Sequence, residues 1–189
     1  MTPAIRPRRG TLVRGVLGAV LALALAGCGP AASVPSTAPT AVPSAAPALS
    51  AAVATTADRI AAALGSVGLA ATAVPPQPIV FRPGESPLLA AAPRLVLQAL
   101  VPGDASHGFI VVYDFPDAAA ASSAGAEMAA YLATGPGRIQ FPNDARHVLR
   151  QVGPTLVFFT WSPAVSPDPK MAALAGALET LGTAIPVVR

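Results

Sequence analysis

Hydrophobic and polar positions divide the chain into three parts: an apolar run near the N-terminus, a patternless middle, and a periodic segment from residue 55 onward. In the periodic segment, Ile60, Ala63, Leu64 and Val67 recur at helical spacing. Thr55 and Asp58 make a capping-box-like start, and Gly68 suits a left-handed stop, so a helix over about 57–67 is predicted. Residues 70–93 carry six prolines and read as irregular. Leu95–Val101 and Phe109–Phe115 (FIVVYDF) read as strands on either side of a Pro102-Gly103-Asp104 turn. Asp117 opens a second helix that reaches about Ala133, with Ala121, Gly125, Met128 and Leu132 on one face and Gly135-Pro136 ending it. Arg146–Val152 and Leu156–Trp161 (LVFFTW) make a second strand pair around Gly153-Pro154. Asp168 and Pro169 then start a third helix, with Met171, Leu174, Leu178 and Leu181 as its apolar stripe. Residues 183–189 leave room for an edge strand.

The predicted fold class is therefore α+β, a single domain with the order helix-strand-strand-helix-strand-strand-helix and an antiparallel sheet of about four strands. Strands with one wet face alternate apolar and polar positions. FIVVYDF and LVFFTW do not alternate, so both faces of the central strands are expected to be covered, by a helix, by the Pro-rich loop or by another protein. Arg94-Leu95-Val96-Leu97 also matches Arg146-His147-Val148-Leu149, a short match that reads as a weak repeat of a helix-hairpin unit.

The N-terminal run changes the picture from fold to location. Arg6, Arg8, Arg9 and Arg14 precede an apolar stretch from Val16 to Ala26. That stretch is too short for a bilayer core needing about 20 residues and has the length of a signal-peptide core. It ends in Leu25-Ala26-Gly27-Cys28, which holds the only cysteine of the chain. This string resembles the lipobox of bacterial lipoproteins. The resemblance implies cleavage between Gly27 and Cys28 and a lipid on the Cys28 thiol, holding the protein at the extracytoplasmic side of a cell membrane; residues 1–27 would be a signal peptide. Two or more acyl chains anchor a protein stably, because each buried methylene contributes about 0.8 kcal/mol. Residues 29–54 are nearly all Ala, Pro, Ser, Thr, Val and Gly, with five prolines and no charge, and read with Cys28 as a tether before a domain at 55–189. Fully extended in a polyproline-like form, that linker spans roughly 80 Å.

Removing residues 1–27 also reverses the charge. The full chain is formally +3, yet eight basic and nine acidic residues remain after Gly27. No basic stripe is left to meet nucleic acid, and no polybasic patch to meet lipid headgroups. With a single cysteine there is no disulfide framework.

Chemistry-bearing residues are sparse. His107 and His147 are the only histidines, and neither stands at metal-ligand spacing, so no metal or cofactor is expected. Asp104, Ser106 and His107 supply the residue types of a nucleophilic triad on one loop, where neighbouring residues rarely reach triad geometry, and there is no G-x-S-x-G elbow. Gly135-Pro136-Gly137 reads as ending a helix and not as opening a phosphate-binding one. Tyr113 and Trp161, with His107, are the candidate binding surface near one end of the sheet. The order of elements, with Tyr113-Asp114-Phe115 just before an Ala-rich helix, resembles small bacterial lipoproteins whose soluble domain has no assigned function, and it implies no catalytic residues. The expected role is a non-catalytic binding module of the cell envelope, its partner an envelope protein or a small ligand. The alternatives are a small hydrolase with His107 as its base, or a scaffold that forms a homodimer through the sheet.

Overall fold

A computed structural model describes residues 48–75 and 87–188. Gly27, Cys28 and most of the expected tether lie outside the described residues. What is described belongs to one compact unit. Helix α1 (Ala51–Ser66) is followed by β1 (Ala71–Val74), a one-turn α2 (Pro87–Ala91), and the strands β2 (Arg94–Ala99) and β3 (Phe109–Asp114). Then come α3 (Ala118–Ala133), a short α4 (Gly135–Gln140), β4 (Arg146–Val152), β5 (Thr155–Trp161), α5 (Pro169–Glu179) and β6 (Thr183–Ala184).

The fold is α+β with one open, wholly antiparallel sheet of six strands in the order β1-β2-β3-β5-β4-β6. The expected four strands form its centre. The two additional strands are edges: β1, of sequence ATAV, pairs with β2, and the two-residue β6 pairs with β4 at Arg150 and Gln151. Both are too short to show a period of their own.

Helix boundaries follow local chemistry. Asp117 accepts a hydrogen bond from Ala120 N at 2.8 Å and Asp168 accepts one from Lys170 N at 2.8 Å, the N-caps that the sequence predicts for α3 and α5. At the end of α1, Gly68 takes φ 70°, Leu69 N donates to Leu64 O and Gly68 N donates to Gly65 O. That is a Schellman stop, with Leu69 and Leu64 both in the core. The start of α1 differs from expectation. It lies at Ala51 and not near 57, so the fold begins inside the stretch read as tether. Val53 is buried one turn before Thr56 and two before Ile60, and this packing outweighs a composition indistinguishable from the linker. Gly135-Pro136 does end α3, but it also opens α4, with Pro136 in the first turn, where its missing N–H costs nothing.

Both sheet faces are covered by the chain's own helices. On the first, Ile60 and Leu64 of α1 with Met171, Leu174 and Leu178 of α5 pack on Ile110, Val112, Val157 and Phe159. On the second, Ala121, Ala124, Met128 and Leu132 of α3 pack on Tyr113, Leu149, Leu156 and Phe158. The non-alternating β3 and β5 are thus the middle of a three-layer sandwich, and α3 is the second cover. A sheet-face homodimer loses the open apolar face that motivated it. The short sequence match is not a structural repeat: its equivalent leucines, Leu97 and Leu149, belong to opposite faces. Strands related by symmetry within an antiparallel sheet would keep the same face.

The register defines two poles. Val152–Thr155, Asp114 and the start of β2 share one pole, where Gly153 takes φ 59° in the two-residue β4–β5 turn. Phe109, Trp161, Arg146 and Ala99 share the other, which carries the long β2–β3 and β5–α5 connections. Ser50 is at the first pole: its N–H and its hydroxyl donate to the two carboxylate oxygens of Asp114, each at 2.7 Å.

Candidate functional site

At the second pole the β2–β3 connection folds back on itself. Asp104 N donates to Val101 O at 3.0 Å, closing a turn with Pro102 in the position its fixed φ favours. The Gln98 side chain donates to Ala105 O at 2.8 Å, and Ala99 N donates to Gly108 O at 2.9 Å. Gly108 needs φ 85° for that return, a conformation glycine reaches without steric cost. The facing β5–α5 connection is bound to the start of β4. Ser162 Oγ donates to Asp144 Oδ1 at 2.7 Å and Ala164 N donates to Asp144 Oδ2 at 2.8 Å. These two bonds, the serine's first, hold the Asp144 carboxyl below the usual carboxylate range.

The two connections meet at Asp104. The Ser166 hydroxyl, buried at 2 % exposure, is the main influence lowering the Asp104 pKa, and hydrogen bonding to His107 adds to it. His107 Nδ1–H donates to Asp104 Oδ1 at 2.5 Å, and the two side chains are 44 % and 12 % exposed. Beside them Gly103 has no Cβ where the Asp168 carboxylate approaches, so the loops close to contact. The result is a cleft of about 440 Å³ lined by Gly103, Asp104, Val165, Pro167, Asp168 and Pro169. Leu100, Phe109 and Val165 are exposed at the same pole.

The arrangement defines what the cleft can do. In a nucleophilic relay the imidazole stands between hydroxyl and carboxylate. Here the carboxylate is in the middle, with Ser166 and His107 on either side of it. Ser166 is buried and serves Asp104. No hydrogen bond joins Ser106 to the His107 ring among the described residues. A base with an orienting carboxylate is therefore present without a nucleophile bound to it. Among the described residues there is no group of three or more His, Cys, Asp or Glu placed to hold a metal, and no helix is long and apolar enough to cross a membrane.

The three residues expected to form a binding surface are not brought together. Tyr113 is 3 % exposed and belongs to the core of the second face, because its place in β3 turns it under the sheet's inner layer. Trp161 packs half-buried on the first face, with the Arg146 guanidinium 5.5 Å from its ring centroid. His107 stands apart from both, on the loop with Asp104. His147, the other histidine, stacks on Phe158 and meets the edge of Phe141. Asp168 and Ser166 were not singled out for the site by the sequence. Pro167-Asp168-Pro169 signals a helix start, and nothing in it marks a cleft wall.

Compared with known protein families, curated proteins and solved structures, the chain matches none.

Proposed function

We propose that this protein is a lipid-anchored lipoprotein of the cell envelope whose domain is a non-catalytic binding module, held at one pole and open to its partner at the other. The observation that carries the reading is the placement of the ends of β3. The chain reaches the domain at Ser50, fastened to Asp114, while the Asp104 cleft lies beyond Phe109, about 20 Å along the strand. The cleft therefore lies at the pole opposite Ser50, clear of the bonds that fasten α1 to β3. The Leu25–Cys28 string supports the anchor itself.

A hydrolase is the second reading, favoured by one observation, the His107–Asp104 pair. Among the described residues no side-chain nucleophile is bonded to His107, so this reading requires a water or a substrate hydroxyl to meet the free edge of the ring.

Membrane fractionation tests the first reading. Wild-type protein is expected in the membrane fraction, and Cys28→Ala is expected either unprocessed or released. Full retention of Cys28→Ala with normal processing would count against the anchor. For the second reading, His107→Ala is expected to abolish any hydrolysis, and hydrolysis unchanged in that variant would count against it.

A further inference from the structure

A second hollow, separate from the Asp104 cleft, lies on the first face of the sheet between α5 and the start of β4. Its volume is about 210 Å³, and its walls include Arg146, Val148, Trp161, Ala172, Gly176 and Glu179. The helix residues stand at i, i+4 and i+7, so a single face of α5 forms that wall over about 10 Å of helix axis. Small side chains keep the hollow open: a Cβ built on Gly176 would meet nothing within 4 Å.

The polar groups around it are not satisfied by one another. Arg146 lies over the Trp161 ring, and Glu179 is exposed at the end of α5. No ion pair joins Arg146 to Glu179 among the described residues. The Trp161 indole Nε1–H is buried and has no acceptor among the described residues. Buried donors are nearly always paired, so one left over calls for an explanation such as an ion, a water or a ligand. Two residues of opposite charge, Arg146 and Glu179, line one hollow together with the Trp161 ring, whose Nε1–H is closed off from solvent just behind it, and this lining matches a molecule carrying a carboxylate and an ammonium.

We propose that this hollow binds a short zwitterion of the dipeptide class. Its carboxylate accepts from Arg146 and, when the ring adjusts to it, from Trp161 Nε1–H. Its ammonium donates to Glu179, and its backbone lies along Ala172 and Gly176. The site is independent of the lipid anchor and of the Asp104 cleft.

Trp161 is the only tryptophan of the chain, so its fluorescence and its indole N–H resonance report on this site alone. The full-length protein in detergent micelles is titrated with diglycine, and with N-acetyl-diglycine and diglycinamide as end-blocked controls. A saturable response to diglycine is expected, with each blocked compound binding about tenfold or more weaker, the usual consequence of losing a charge-assisted hydrogen bond. Glu179→Gln is expected to weaken diglycine but to leave diglycine and N-acetyl-diglycine equally bound; Arg146→Gln should do the same for diglycine against diglycinamide. No saturable response in either signal, or equal binding of all three compounds by the wild-type protein, overturns the proposal.

Discussion

Asp114 and Ser50, 64 residues apart, are joined by two hydrogen bonds that use both oxygens of one carboxylate. Asp114 is the last residue of β3 and is 8 % exposed, and Ser50 is the N-cap of α1. The carboxylate thus sits at the positive end of the α1 dipole and fastens the first helix to the central strand. Asp114→Asn is expected to cost about 1–3 kcal/mol, the range for losing hydrogen bonds to a charged group. Chemical denaturation checks the total. Hydrogen exchange should localise the loss to the first turns of α1; uniform destabilisation would contradict the assigned role.

The same pair sets where an isolated domain can begin. A fragment starting at Ala48 keeps Ser50 and is expected to fold as a soluble unit with a single cooperative melt. A fragment starting at Ala52 lacks Ser50 and the first residue of α1. It is expected to melt at a lower temperature by about the amount that Asp114→Asn costs. Equal melting of the two fragments would show that the Ser50–Asp114 tie contributes nothing.

A buried polar pair links α1 to the other central strand. Thr56 Oγ1 and Thr155 Oγ1 are 2.9 Å apart, and Thr155 Oγ1 donates to Val152 O at 2.9 Å, so Thr56 is the donor within the pair. Thr155→Val leaves the Thr56 hydroxyl without that acceptor in the core, at an expected cost of about 1–3 kcal/mol. Thr56→Val added to Thr155→Val should recover part of the loss, because two apolar groups leave nothing unpaired. Strict additivity in this double-mutant cycle would contradict the coupling.

Most of the central architecture was legible in the sequence, and the reasons can be traced to particular residues. Asp117 and Asp168 could be read as caps because capping is local. FIVVYDF and LVFFTW revealed a doubly covered sheet because an uninterrupted apolar strand has no wet face to offer. The start of α1 was hidden because Ala51–Ala54 has the linker's composition, and only burial of Val53 distinguishes it. β1 was hidden because four small residues gain strand character from pairing with β2 alone. The cleft was hidden for a different reason: Asp104 and Ser166 are neighbours only through the β3–β5 register, which no local pattern encodes. The aromatic surface failed on parity, since Tyr113 and Trp161 occupy opposite faces of one sheet.

The loop pole carries an acid sensitivity of its own. Asp104 and Asp144 both have folded-state pKa values below their ordinary one, through Ser166 and His107 in one case and Ser162 and Ala164 N–H in the other. A carboxyl with a depressed folded pKa contributes stability that is fully present above its unfolded value, about 3.9, and is lost as pH falls through the folded one. The melting temperature should therefore decline below about pH 4. Asp104→Asn and Asp144→Asn should each make that decline shallower, with the Asp144 change loosening residues 162–166 in hydrogen exchange. An unchanged acid limb in both variants would mean that these bonds do not couple to folding.

The most direct test of the account is the intact mass of the full-length protein recovered from membranes of the cells that make it. The account predicts a chain lacking residues 1–27, with the mass of a diacylglyceryl group, or of that group plus an acyl chain, on Cys28. A chain that retains residues 1–27, or one cleaved elsewhere with no lipid mass, would contradict it.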